Sequence, residues 1–279
     1  MSIVSEIERI KTNIANAYTE IENKGVVTTG VKNSDNLASA ISAIQTGGTG
    51  GGGDTPEKGL IIKGWDNEGF ATEIEVVGMT TLPNSYLRYL SYPSNYGCKA
   101  KLKIPKDLTY IGDYNFYNAT YSELSIPDGV THIGNYALGY TNNLKSLKLP
   151  SKLTSVGEST FHNSAIEVLD FPVGITTLPQ KCCYQSKAKV VIFRGAISSL
   201  GNQCFYYCPN IEVMIFTKVR DYPYYPQVQS QTFSNAAIGA IYVPDEYVTN
   251  FQNGTNWSSV KSKVKPLSEL PDEYKELLW

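Results

Sequence analysis

The chain has 279 residues, with 24 basic and 26 acidic side chains, two histidines, five cysteines and 20 tyrosines. A formal net charge of −2 supplies no polybasic field for a nucleic-acid backbone, and no run approaches the ~18 apolar residues of a membrane span. Charged residues make up 18%, below the roughly 25% usual for soluble domains, and an enzyme is not excluded by these values alone.

Residues 1–45 read as a helical attachment module. Met1-Ser2-Ile3-Val4-Ser5-Glu6 lacks a basic and then apolar leader, so no Sec signal peptide is expected. Ile3, Ile7, Ile10, Ile14, Ala17 and Ile21 alternate spacings of 4 and 3, a heptad seam. Ile7, Ile14 and Ile21 take a positions, and Ile3, Ile10 and Ala17 take d positions. Isoleucine at both shifts preference from a parallel dimer toward three or four strands. Such a helix is roughly 30 Å long. The expectation is a trimeric coiled coil, with docking onto another protein or onto its own domain as the alternative. Ser34-Asp35 then caps a second short helix carrying Leu37, Ile41 and Ile44.

Residues 46–58, with Gly47-Gly48 and Gly50-Gly51-Gly52-Gly53, read as a flexible linker. A phosphate-cradling loop would need a preceding strand and a following Gly-Lys-Ser/Thr, and has neither. Residues 59–73 pair two strand-like runs around Asp66-Asn67-Glu68-Gly69, the signature of a capping hairpin.

From about residue 74 to 244 the chain repeats itself. Strand-like units start at Leu102, Leu124, Leu147, Leu169, Val191, Met214 and Ile241, with steps of 22, 23, 22, 22, 23 and 27. Proline follows the strand at Pro105, Pro127, Pro150, Pro172 and Pro244. Ile111, Ile133, Val156, Leu178 and Leu200 form a second column, followed by Gly112, Gly134, Gly157, Pro179 and Gly201. A third holds Phe116, Leu138, Phe161, Cys183 and Phe205. A coil this short cannot bury its own apolar face, so coils must stack, their inward side chains forming ladders. Each is expected to give one short strand, a turn and a tight helical or 3₁₀ segment. The glycine column fits a left-handed or tightly turned backbone position. The fold class is therefore an α+β repeat: a leucine-rich-repeat solenoid of about seven 22–23-residue coils, two of them expanded, with an N-terminal coiled-coil helix. Residues 245–279, including Trp257, read as a C-terminal cap that keeps the last ladder from pairing elsewhere.

Leu-x-Ile-Pro, then Ile-Gly, then a turn containing Phe or Cys resembles the BspA-like leucine-rich repeat family, most closely over Lys103 to Gly112. The family's Ala-Phe pair is replaced by Asn115-Phe116, Thr160-Phe161 and Cys204-Phe205. The resemblance implies a non-enzymatic adhesion or recognition protein of bacteria or their phages. The front end, with its heptads, Lys24-Gly25-Val26-Val27, Leu37-Ala38-Ser39-Ala40-Ile41 and glycine hinge, resembles attachment segments of phage tail-fibre and baseplate proteins. That implies a virion tail protein assembled in the host cytoplasm. Its partners would be its own copies as a homotrimer, other tail or baseplate proteins, and a host cell-surface glycan or protein, without nucleic acid or membrane insertion. A bacterial surface adhesin and a purely structural virion subunit are the alternatives.

No catalytic, cofactor or metal site is expected. Cys182 and Cys204 share a repeat column, Cys183 stands in the Phe ladder and Cys208 matches Ser186, so they read as small buried thiols. The odd cysteine count speaks against a disulfide framework. His132 and His162 fall in different columns, and Asp107, Asp113, Asp128 and Glu158 read as solvated turns. The aromatics carry the candidate site. Tyr117, Tyr184 and Tyr206 share a column with Gly139 and His162, while Tyr114 and Tyr136 share another. The expanded coils add Tyr92 and Tyr96, and Tyr222, Tyr224 and Tyr225. Insertions in a repeat array map to one face, often the binding face, and tyrosine supplies rigid amphipathic contact at low entropic cost.

Overall fold

In the computed structural model, residues 59–65, 71–88, 101–220 and 225–279 are described. The heptad module 1–45 and the linker 46–58 lie outside them.

The chain winds as a parallel solenoid. Strands β1 (Gly59–Trp65) and β2 (Ala71–Val77) form an antiparallel hairpin with Ile62 opposite Ile74. β2 then pairs in parallel with β3 (Lys101–Lys103), placing Ile74 beside Leu102. Farther on, β4 (Val168–Phe171), β5 (Val190–Phe193), β6 (Ile211–Phe216), β7 (Ile238–Val243) and β8 (Val264–Pro266) line up in chain order as one sheet. Leu169, Val191, Met214 and Ile241 are register partners, which is the column set by the 22-, 23- and 27-residue steps.

Three features depart from the sequence reading. The first is a second strand in each coil. Two-residue rungs end on the buried aliphatic column, with Leu82, Ile111, Ile133 and Val156 paired in one sheet and Leu178, Leu200 and Val228 in another. At several rungs the preceding residue adds a side-chain bond: the hydroxyls of Thr131 and Thr154 donate to the carbonyls of Thr109 and Thr131, at 3.2 and 3.1 Å.

The second departure is the turn. Coils 110–220 contain no helical segment there. Instead two left-handed residues stand four apart: Tyr136 and Tyr140 (φ 53° and 59°), Ser159 and Asn163 (57° and 49°), Lys181 and Gln185 (54° and 55°). This alternation turns backbone N–H groups along the stack rather than along a helix. Tyr136, Leu138 and Tyr140 donate to the carbonyls of Glu158, Thr160 and His162 at 2.9, 3.0 and 2.7 Å.

The third concerns the glycine column, which does not occupy the left-handed positions. A Cβ on Gly157 would stand 2.4 Å from the Asn135 backbone nitrogen, and one on Gly201 would stand 2.5 Å from that of Gln180. These glycines are required by close approach between coils. Two of the turn carboxylates also act as coil-to-coil acceptors, through solvent-exposed bonds. Asp113 takes the Asn135 N–H at 2.7 Å, and Asp128 takes the Ser151 N–H at 3.2 Å.

Between β3 and β4 the strand column is interrupted. Residues 124–126 and 147–149 keep their apolar side chains inward, with Ile126, Leu147 and Leu149 buried, but form no strand ladder. Rungs and turns hold these coils together. The core is a run of rings: Phe171 stacks on Phe193 at 5.5 Å and Phe193 on Phe216 at 4.5 Å. It ends at Phe251 of helix α1 (Val248–Gln252) and at Trp257, whose Nε1 donates to the Pro226 carbonyl at 3.0 Å.

Beyond β8 the chain doubles back as a strap over the outer face of β5, β6 and β7, through helix α2 (Asp272–Lys275). Leu270, with Leu267, Tyr274 and Leu278, covers Val190, Ile192, Val213, Ile215, Ala240 and Tyr242. These strands are therefore buried on both sides. Arg194 anchors the strap. It forks onto Asp170 at 2.8–3.1 Å and donates to the Leu277 and Leu278 carbonyls at 2.5 and 3.1 Å. Among the described residues no helix is long and apolar enough to cross a membrane.

Candidate functional site

The turn track carries a continuous aromatic stripe. Because the coils are in register, a ring at one turn position lies one rise, about 4.8 Å, from its equivalent in the next coil. Tyr114 stacks on Tyr136 at 5.2 Å with planes 3° apart, and Tyr136 on His162 at 5.9 Å. His162 continues to Tyr184 at 4.8 Å, and Tyr184 to Tyr206 at 5.3 Å. Tyr117 packs against Tyr114, Tyr136 and Tyr140. All these rings are half-buried. At one end the Arg88 guanidinium sits 5.0 Å from the centroids of both Tyr114 and Tyr117. At the other, Tyr207 meets Tyr206 edge to face at 4.7 Å and is 51% exposed.

Three of the sequence-derived candidates, Tyr117, Tyr184 and Tyr206, are thus brought onto one surface. The two columns, Tyr117 with Tyr184 and Tyr206, and Tyr114 with Tyr136, merge into one stripe. Gly139 leaves a vacancy in the first column, which Tyr140 fills: its ring lies 4.9 Å from His162 and 5.3 Å from Tyr117. Tyr140 and Tyr207 were not among the candidates. Both follow the ring column by one residue, in the left-handed column (φ 59° and 54°), and the doubled Tyr206-Tyr207 was the available signal. Tyr225 lies apart from the stripe, half-buried against the core and beside Gly254. Tyr92, Tyr96, Tyr222 and Tyr224 lie outside the described residues, as do Ile3, Ile7, Ile10, Ile14, Ala17 and Ile21.

Stacking decides what the stripe presents. With planes 3–35° apart along the file from Tyr114 to Tyr206, most ring faces there are occupied by other rings, so solvent meets ring edges and phenol oxygens. Each ring pair adds about 0.5–1.5 kcal/mol beyond burial, so the stripe also ties the coils together. Side-chain amides flank it on both sides, Asn118, Asn163 and Gln185 after the rings and Asn135, Gln180 and Asn202 before them. His162 is centred in it. Its Nε2 is 3.2 Å from the Tyr140 hydroxyl, while Nδ1 is shielded and has no hydrogen-bond partner. Burial, reinforced by Lys181, lowers its pKa from the ordinary 6.5. His132 lies on the rung track. It stacks on Tyr110 at 4.6 Å and bonds the Ser155 hydroxyl at 2.8 Å, and burial lowers its pKa against the pull of Asp113.

The described cysteines belong to the interior. Cys182, Cys183, Cys204 and Cys208 are buried and free, and the Cys208 thiol donates to the Cys183 carbonyl at 2.9 Å. Burial pushes the thiols of Cys183, Cys204 and Cys208 above their ordinary range, which keeps them protonated and unreactive.

Residues 93–212 match, in six copies, the family described as the BspA type leucine rich repeat region. No curated protein matches the chain. The match covers the coils that build the stripe from Tyr114 to Tyr207, and the chain is a leucine-rich-repeat solenoid with a BspA-like repeat region.

Proposed function

We propose that this protein is a non-enzymatic adhesion component of a phage or prophage tail, which applies the aromatic side of its solenoid to a glycan or protein on the host cell surface. The observation that carries this reading is the stripe. Rings from successive coils, held rigid by stacking, are kept half-exposed along one side instead of being buried. Rigid aromatic edges flanked by amides offer contact area at little entropic cost. The tail assignment draws its support from the sequence of residues 1–58, whose isoleucine heptads and glycine-rich hinge suit an oligomerising stalk followed by a linker. Three linked copies would turn modest single-site affinity into avidity.

The test is binding of the labelled full chain to a panel of bacterial strains. The expected result is saturable binding to a subset, weakened at least about tenfold when Tyr117, Tyr184 and Tyr206 are all changed to Ala, a loss of about 1.4 kcal/mol or more. Binding to no strain, or binding indifferent to those changes, refutes the reading. Light scattering on the intact chain tests the stalk, with an expected mass three times 30.7 kDa.

A further inference from the structure

We propose that the stripe binds a linear, uncharged polysaccharide laid along the solenoid axis, one sugar unit per coil. This deepens the adhesion reading and rests on it, choosing a glycan over a protein as the ligand.

Three observations support it. The first is periodicity. From Tyr114 through Tyr136, His162 and Tyr184 to Tyr206 the ring centroids repeat at 4.8–5.9 Å. That rise is comparable to one hexose in an extended chain. Outside stacked strands such as these, a folded protein surface has no such repeat, whereas a polysaccharide has it by construction.

The second is chemistry. Ring faces are occupied, so a sugar cannot lie flat on them as on an isolated tryptophan. What remains is a file of phenol oxygens beside the amides of Asn118, Asn163 and Gln185, while those of Asn135 and Gln180 are engaged with Asp113 and Glu158. Among the described residues the hydroxyls of Tyr114, Tyr136, Tyr184 and Tyr206 make no protein hydrogen bond. Hydroxyl and amide groups both donate and accept, which suits sugar hydroxyls that do the same. The third is charge. Asp113 and Glu158 along one flank are offset by Arg88 and Lys181, so the strip has no net field to attract a uronate or a phosphate. Arg88 is already engaged over Tyr114 and Tyr117.

Binding of the full chain to cellohexaose, xylohexaose, mannohexaose and laminarihexaose, with their shorter homologues and with polygalacturonate as the charged comparator, tests the proposal. At least one neutral series should bind. Its affinity should rise roughly three- to tenfold per added sugar, one hydrogen bond's worth, until the chain spans the stripe. It should be unchanged between about 0.1 M and 1 M salt. The double substitution Tyr184→Phe with Tyr206→Phe keeps the stack and removes two hydroxyls. It should lower affinity roughly tenfold or more without changing the melting temperature, while Tyr110→Phe, outside the stripe, should change neither. Failure of every neutral series, salt-sensitive preference for polygalacturonate, or indifference to the Phe substitutions overturns the proposal. Cell binding that survives periodate treatment of the cells but not protease treatment also overturns it, and leaves adhesion through a protein receptor standing.

Discussion

A single methyl group separates two kinds of glycine in this solenoid. At Gly157 an added Cβ meets the backbone of the preceding coil at 2.4–2.6 Å, and backbone cannot rotate away. At Gly139 its nearest neighbours stand at 3.4 Å or beyond, ordinary contact. Gly157→Ala is therefore expected to cost about 2–3 kcal/mol in urea denaturation, as overpacking does, and Gly139→Ala to stay within about 0.5 kcal/mol. The histidines give a second expectation at this scale. His132 and His162 both have folded-state pKa values below the ordinary 6.5, burial being the main cause. At His162 a second proton would place charge on a stack whose Nδ1 position offers no acceptor. A depressed histidine pKa means that the unfolded chain binds the proton first, so stability is full above 6.5 and falls as pH drops from there toward the folded values. Glu167, Asp245 and Asp272 are also lowered, by Lys189, by Ser268 and by Lys275, but they act only below their ordinary values of 4.5, 3.8 and 3.8. Melting temperature should thus decline from pH 7 to pH 5.5. His162→Gln should flatten part of that decline, and equal slopes for the two proteins would refute the assignment.

At the level of elements, legibility in the sequence followed length and repetition. The strand column could be read because Leu-x-Ile-Pro alternates and recurs at a fixed step, and Leu169, Val191, Met214 and Ile241 are register partners in the structure. The rungs escaped because two residues are too few to show a period of two, although the Thr-x-Ile-Gly pattern at Thr109 and Thr131 lay in view. The left-handed turn positions escaped because Tyr, Asn, Ser, Lys and Gln hold them instead of glycine. Each such residue bears roughly 1 kcal/mol of strain or more, offset at most of them, from Tyr114 to Gln185, by the coil-to-coil hydrogen bond that its own N–H donates. Column arithmetic therefore found Tyr117, Tyr184 and Tyr206 but could not show that Tyr140 leans over Gly139's vacancy. The strap was invisible for another reason: residues 267–278 look like any polar tail, and only the apolar outward positions of β5, β6 and β7 demand a cover. Leu270, 2% exposed, is its main plug. Leu270→Ala should cost about 2–3 kcal/mol and raise the binding of a hydrophobic dye, because Ile192, Val213 and Ile215 beneath it lose their lid. Trp279→Ala, at a fully exposed position, should do neither.

Over the whole molecule, stability in a stack is close to a sum of coil and interface terms, so the weakest interfaces open first. The interfaces differ in kind along the axis. From β4 to β7 the coils share a strand ladder, a rung ladder and a ring in the core run from Phe171 to Trp257, and β8 extends the strand ladder. This half is sealed by α1 at its end and by the strap on its outer face. Between β3 and β4 the strand ladder is missing, and the coils carrying 124–126 and 147–149 rely on rungs, turns and the stripe. Burial of Ile126, Leu147 and Leu149 keeps these segments extended but gives their amides no ladder partner. Hydrogen exchange reads this difference amide by amide. Amides of 124–126 and 147–149 should exchange well before those of 190–193 and 213–216, with the rung amides of 133 and 156 intermediate. Destabilising the stripe with Tyr136→Ala should speed exchange across 110–160 while leaving 190–243 slow. Uniform acceleration along the chain would mean that the solenoid opens as one cooperative unit, and the two-part account of its stability would fall.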